Sequence, residues 1–552
     1  MAARCRRASA LVAAIVTAVG AWSVSACTGS TVDQIDYAVD GALVSYNTTT
    51  VVGAASAGAQ AFARTLGGFG YHGPDGQVVA DRDFGSISVV GGAPLVLDYQ
   101  IADAAVYSDG KPVTCDDLVL AWAAQSGRFP AFDAANRAGY VDIERIDCRP
   151  GEKKARVSFL PDRNIVDYQD LFTATSIMPS HILGDKLGVN TTEALLGDVG
   201  PANEFVDRIA QAWNTVWQLN RGIDLRNFPS SGPYKIDSVL DGGAVVLAAN
   251  DRWWGAKPVT KRITVWPQGA DIADRVNKRM VEVVDVATGS AGSLMAPDDY
   301  QSSDTASGGI EQLIFAPQGP LSETPARRAV ALCTPRDVIA HDADVPMVNS
   351  RLNTAADDAF DQAENVPESG QFGHADPNAA RDTLGGKPLD VRIGYRAPNT
   401  RLAAVVGAII DSCAPAGITV TEVASDSTGP QALREGQVDV LLASTGGASG
   451  SGSTGSSAMD AYELHTGNGN NLSGYHNDQI DGIVAALAVT ADPAEQVRLL
   501  GEGASVLWAD MPTLPLYRQQ RTLLSSKKTF GVAANPTRWG AGWNMDRWAL
   551  QQ

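Results

Sequence analysis

Residues 450–455 read Gly-Ser-Gly-Ser-Thr-Gly, the pattern G-x-G-x-x-G, and Gln437-Val-Asp-Val-Leu-Leu-Ala443 before them has the composition of a β-strand. A strand running into such glycines is how a dinucleotide-binding loop begins, its backbone N–H groups turned toward a pyrophosphate. Other chemistry finds less support. The sequence holds no H-E-x-x-H, no Walker loop, and no serine or cysteine nucleophile with a recognisable base. Gly450–Gly455 also lacks the G-x-S-x-G order of a hydrolase elbow. The acid pairs Asp116-Asp117 and Asp298-Asp299 read as helix-start and surface charges. No metal is expected, because there is no C-x-x-C and the six histidines are scattered. Neither an enzyme nor a cofactor is expected.

The start of the chain bears on the glycine pattern. Arg4, Arg6 and Arg7 precede an apolar run from Ala10 to Trp22, the length of a signal-peptide core and short for a membrane span. The run ends in Val24-Ser-Ala-Cys27, which resembles a bacterial lipobox. That resemblance implies cleavage before Cys27 and lipidation of its sulfur by a diacylglycerol, with residues 1–26 as signal peptide and 27–37 as tether. No later segment approaches 18 unbroken apolar residues, so lipid alone is expected to hold the mature chain at the outer face of the cytoplasmic membrane. NAD and ATP are not supplied there, which counts against a dinucleotide site.

Without residues 1–26 the chain has 526 residues, 40 of them basic and 62 acidic, and a net charge of −22. So acidic a surface disfavours nucleic acid as a partner. The length suffices for two or more cores. Beyond Cys5 and Cys27 lie Cys115, Cys148, Cys333 and Cys413, an even number that points to two disulfides with three pairings open.

Several elements are legible. Ala42–Tyr46 is expected as a first strand, followed by a polar turn at Asn47–Thr50. Thr114 stands where a helix N-cap belongs, and Asp116 and Asp117 suit the first turn of a helix to Gln125. Residues 141–160 read as a hairpin around Arg149-Pro-Gly-Glu152, and Tyr234–Val239 with Ala244–Ala249 as another. From Ala326 onward helices and strands alternate: Ala326–Ala340, Pro377–Leu384, Leu389–Tyr395, Leu402–Ala414, Ile418–Val423 and Gln437–Ala443. That is the texture of an α/β lobe.

Tyr107-Ser-Asp-Gly-Lys-Pro-Val-Thr114, followed by Asp116-Asp-Leu-Val-Leu-Ala-Trp122, resembles the signature stretch of family 5 extracellular solute-binding proteins, the peptide- and nickel-binding receptors of ABC importers. Further blocks agree in order: Ile177-Met-Pro-Ser-His-Ile182, Ser231-Gly-Pro-Tyr-Lys235, Asn250-Asp-Arg-Trp-Trp-Gly-Ala-Lys-Pro258, Ala326-Arg-Arg-Ala-Val-Ala-Leu332, Asn471-Leu-Ser-Gly-Tyr475 and Met511-Pro-Thr-Leu-Pro-Leu-Tyr517. The resemblance implies an α/β, two-lobed periplasmic-binding-protein-like fold with an extra inserted subdomain, mixed sheets and hinge closure. Residues 38–60, 212–315 and 513–552 would form lobe I, 61–211 its inserted subdomain, and 316–512 lobe II. The crossovers near Phe315-Ala-Pro317 and Met511-Pro512 would serve as hinge. Pairing Cys115 with Cys148 and Cys333 with Cys413 keeps each disulfide inside one lobe. The implied partners are a peptide or small-molecule ligand, an ABC permease and, through lipid, the membrane; a monomer is expected.

In peptide-binding members an aspartate in a Gly-Trp-x-x-Asp-Tyr stretch after this strand fixes the peptide's ammonium, since a desolvated cation needs a carboxylate. Here Ser444–Ser457 contains no acid and no tryptophan. Three readings compete. Asp460 with Tyr462 supplies the anchor; the backbone around Ser444, Thr445 and Gly446 receives an uncharged or anionic ligand such as a glycolipid headgroup; or the loop binds nothing small and the protein is a scaffold for membrane machinery. Other cleft candidates are Tyr46, Asn47 and Thr48 from lobe I, and Gln318, Tyr395, Arg396 and Asn399 from lobe II. Arg396 could hold a carboxylate bidentately.

Overall fold

The computed structural model describes residues 34–197, 203–220, 222–269, 271–292, 294–352, 357–448 and 450–551. The signal peptide and Cys27 lie outside the described residues. No helix among them is long and apolar enough to cross a membrane.

The first strand is Gln34–Val39, not Ala42–Tyr46. Its alternation buries Ile35 and Tyr37 against the core while Gln34 stays exposed. Residues 42–46 run in irregular backbone, with a single isolated bridge from Ser45 to Gln218 in place of a strand ladder. The apolar pattern there reflects burial without a pairing strand.

Gln34–Val39 belongs to a ten-stranded mixed sheet that carries the whole architecture. On one flank it lies beside Arg262–Trp266, followed by the hairpin strands Val245–Ala249 and Tyr234–Val239. On the other flank Ile418–Ser425, Leu389–Arg396 and Val440–Ser444 run parallel to one another. Two long strands, Tyr300–Phe315 and Thr513–Ser526, occupy the middle and pair with each other. Their register breaks between Ala306 and Ile310. The end of the first from Glu311 to Phe315 joins Val440–Ser444, while the second also pairs with Val283–Ala287 on the opposite flank. Two large apolar clusters form accordingly, one around Tyr37, Trp122, Trp213 and Trp548, the other around Phe315, Val406, Trp508 and Leu514.

A separate four-stranded antiparallel sheet, ordered Gly85–Gly92, Leu95–Ile101, Lys154–Phe159, Ile143–Cys148, includes the expected hairpin. Helix Cys115–Gln125 packs on it, and Thr114 caps that helix with Asp117 answering in a capping box. Asp117 does more than favour a dipole. Fully buried, it also accepts from the Ser180 N–H at 2.8 Å and Oγ at 2.7 Å, locking the next helix in place. The expected helix Ala326–Ala340 is two helices, Thr324–Cys333 and Arg336–Asp342, because Pro335 offers no N–H and turns the chain. The disulfides join Cys115 to Cys148 and Cys333 to Cys413, with Cα separations of 5.8 and 4.9 Å.

Candidate functional site

Val440–Ser444 is buried along its whole length and ends in the interior, where Ser444 stands opposite Glu311. A single turn follows, with Gly446 at φ +70° and Gly447 at φ +76°, backbone that glycine adopts without strain. That turn is held from behind by Glu463. Its Oε2 accepts from the Gly446 N–H at 3.0 Å and its Oε1 from Gln312 Nε2 at 2.7 Å. Burial pushes the Glu463 carboxyl up to about 8, and the neighbouring charge of Asp460 adds to the rise.

The glycine-rich stretch then threads between three parts of the molecule. Ser451 Oγ donates to the carbonyl of Pro536 at 3.1 Å, and the Arg538 N–H donates to the carbonyl of Ser453 at 2.9 Å. Ser456 Oγ bonds Asp167, and Asn136 Nδ2 donates to the carbonyl of Met459 at 3.1 Å. The glycines are there because side chains would collide. A Cβ on Gly450 would come within 2.9 Å of Arg521 Nη1, and one on Gly452 within 1.7 Å of the Thr445 carbonyl oxygen. Gly455, at φ +95°, would meet both the Gly76 oxygen and His72 Nδ1 at 2.7 Å. The pattern serves close backbone approach; no phosphate cradle is formed.

Asp460 closes its own loop: its carboxylate accepts from Ser453 Oγ at 2.8 Å and the Thr454 N–H at 2.9 Å. Tyr462 is buried and stacks on His465, with ring centroids 5.1 Å apart. Ser444 and Thr445 are buried beside the crossing strands, and neither hydroxyl has a partner among the described residues.

The remaining sequence-selected residues are dispersed. Tyr46 is fully buried and shares a 2.9 Å hydrogen bond with Ser230 Oγ. Asn47 donates to the Trp213 carbonyl at 3.3 Å, and Thr48 to the Thr175 carbonyl at 3.3 Å. These contacts tie residues 46–48 to Ser230, Trp213 and Thr175. Gln318 is exposed and donates to the Leu433 carbonyl at 3.1 Å. Tyr395 bonds Glu422, and Arg396 donates to the Asp426 carbonyl. Asn399 is the buried N-cap of helix Thr400–Cys413, accepting from the Leu402 N–H at 3.0 Å.

Several site residues escaped the sequence reading. Arg521 pairs with Asp285 at 2.7 Å, and Arg401 with Glu311 at 2.7 Å. Both pairs lie along the crossing strands. Beyond the loop, Thr49, His72, Gln125, Tyr140, Asp170, Thr454, Arg538 and Trp539 enclose a cavity of about 50 Å³. Bound small molecules ordinarily fill roughly 300–1,000 Å³, so this cavity has room for little more than a small polar group. No local motif links these residues; the fold assembles them from positions up to several hundred residues apart.

Residues 93–463 match the family described as bacterial extracellular solute-binding proteins, family 5 middle. An uncharacterized lipoprotein of Mycobacterium tuberculosis is 68% identical over 558 residues, covering 100% of both chains. Among solved structures, the periplasmic EDTA-binding protein EppA superposes with a TM-score of 0.72 at 18% identity, covering 95% of this chain and 98% of the other. The oligopeptide-binding protein AppA from Bacillus subtilis, in complex with a nonapeptide, gives 0.71 at 14% identity over 95% and 100%.

Proposed function

Because the chain belongs to the bacterial extracellular solute-binding proteins of family 5, we propose that it is a lipid-anchored receptor at the outer face of the cytoplasmic membrane, closing on an oligopeptide and presenting it to an ABC permease. It is an exported lipoprotein and a binding protein, not an enzyme. In this reading residues 38–60, 212–315 and 513–552 form one lobe, 61–211 its inserted subdomain and 316–512 the other lobe. The hinge lies at the crossovers near Phe315-Ala-Pro317 and Met511-Pro512, where the paired strands Tyr300–Phe315 and Thr513–Ser526 end and begin.

The observation that carries the reading is one cavity to which Thr49 and His72, Gln125 and Tyr140, and Thr454 and Met459 all contribute. The likeness to AppA, solved with a nonapeptide, supports peptide as the solute class. Ser444, Thr445 and Gly446, at the mouth of the buried strand, are the groups proposed to meet it. For Asp460 to receive a peptide ammonium, Ser453 and Thr454 must first release its carboxylate.

One observation favours a second reading. The acid that would anchor a peptide, Asp460, is already bonded to Ser453 and Thr454 of its own loop, as expected of an envelope lipoprotein that has kept the fold for a glycolipid or a membrane partner. Native mass spectrometry of the lipoprotein purified from its own host separates the two. A peptide-sized adduct supports import. Bare protein whose melting temperature ignores a broad peptide library would exclude import and leave the second reading.

A further inference from the structure

We propose that the cavity at the meeting of the three subdomains receives an anionic group of the solute, a carboxylate or a phosphate, against Arg538 and Trp539. The inference rests on the receptor reading and specifies what the receptor selects.

The part-buried Arg538 stands apart from the arginines of the interior. Arg521, Arg401 and Arg64 each face a carboxylate, at 2.7, 2.7 and 3.0 Å. Arg336 and Arg351 pair with no carboxylate among the described residues but donate to carbonyls, of Phe372 at 3.3 Å and Thr513 at 2.9 Å respectively. The Arg538 side chain lines the cavity, and its buried Nε has no acceptor among the described residues. Its guanidinium carbon lies 4.7 Å from the centre of the Trp539 ring. The Trp539 indole N–H is buried and also lacks an acceptor among the described residues.

The nearest acids are occupied. Asp170 faces His72 Nε2 at 2.9 Å, and Asp460 accepts from Ser453 and Thr454. They act on Arg538 only through space, and burial draws the guanidinium below its usual range despite them. A part-buried cation whose nearby carboxylates are bonded elsewhere is costly, and a ligand anion offsets that cost. The planar guanidinium suits a two-oxygen acceptor. A cavity of about 50 Å³ admits a carboxylate-sized group while the rest of a solute would displace the loop. The geometry thus inverts the anchor of the peptide binders: the ligand's negative end, not its ammonium, is the part recognised.

The test titrates the mature full-length protein at constant ionic strength, following tryptophan fluorescence and thermal midpoint. The probes are acetate, succinate and inorganic phosphate, with neutral succinamide as control, and tetra-alanine in free, N-acetylated and C-amidated forms. Expected are saturable binding of at least one anion, none of succinamide, and roughly tenfold or greater weakening in Arg538→Gln with partial rescue in Arg538→Lys. N-acetylation of the peptide should change affinity less than about threefold, and C-amidation more than about tenfold. Saturation by the phosphate alone identifies a phosphate-bearing solute, and by the carboxylates alone an acid.

Anions that fail to saturate, or that bind Arg538→Gln as tightly, overturn the inference. Peptide binding that depends on the free amine overturns it while leaving the receptor reading standing. Anion binding without peptide binding upholds it and removes the peptide. Because the blocked peptides are compared on unmodified protein, a misfolded variant does not decide the result.

Discussion

Glu463→Gln gives a sharp test of how the loop is held. The Glu463 carboxyl titrates near 8 in the folded protein against 4.5 in an unfolded chain. The folded state therefore keeps a proton that the unfolded state has released between those values. Its contribution to stability is complete below about pH 4.5, declines as pH rises, and is gone above about pH 8. A shift of this size corresponds to roughly 4–5 kcal/mol, and partial solvent access reduces it to on the order of 2–4 kcal/mol. Glutamine does not titrate, so the variant lacks this slope. Its amide nitrogen must face either Gly446 N–H or Gln312 Nε2, both donors, which adds a penalty independent of pH. The slope, not the offset, is the reading. Differential scanning calorimetry from pH 5 to 9 should show the wild-type midpoint falling relative to the variant by a few degrees, at about 1 °C per kcal/mol for a chain this long. Other buried acids, Asp117 and Asp40, titrate alike in both proteins and cancel in the difference. Parallel midpoint curves would refute the idea that a protonated Glu463 pins the turn.

Further outcomes follow from packing and covalent links. Gly452→Val should cost about 2–4 kcal/mol and expose the loop to protease, since its Cβ meets the Thr445 carbonyl, whereas Gly407→Ala, with open space around it, should gain about 0.5–1 kcal/mol. Equal midpoints for the two would contradict the close approach. Replacing Cys333 and Cys413 by serine should lower stability by about 4.5 kcal/mol and the Cys115–Cys148 pair by about 3.7, from loops of 80 and 33 residues, measured by denaturant unfolding. Unchanged midpoints would show that neither link constrains the unfolded chain. Cys27→Ser should abolish labelling by radioactive palmitate and release the protein from membranes; retention would mean another anchor.

Much of the fold was legible because local chemistry and tertiary demand agree. Thr114 and Asp117 announce a helix start and form one, and Pro-Gly in Arg149-Pro-Gly-Glu152 turns the chain between two alternating runs. Failures came where burial imitates pairing. Ala42–Tyr46 is apolar because it is covered, while the paired strand Gln34–Val39 sits where a tether was expected. Ala326–Ala340 kept helical spacing across Pro335, whose missing N–H breaks it. The site was less legible still. The departure at Ser444–Ser457 could be seen, but Arg538 and Trp539 gain meaning only when the fold brings the segment after Phe530 to Ser453. An arginine's want of a partner is a tertiary property, invisible in its sequence neighbours.

The central claim is that two lobes close on a solute about the crossing strands. Electron-electron distance spectroscopy with spin labels at Lys257 and Lys387, exposed residues of the two proposed lobes, measures this directly. The account predicts a broad distribution in protein stripped of ligand and a single, shorter distance once a binding solute saturates it. A distribution that stays unchanged with every solute recovered from the host would contradict it.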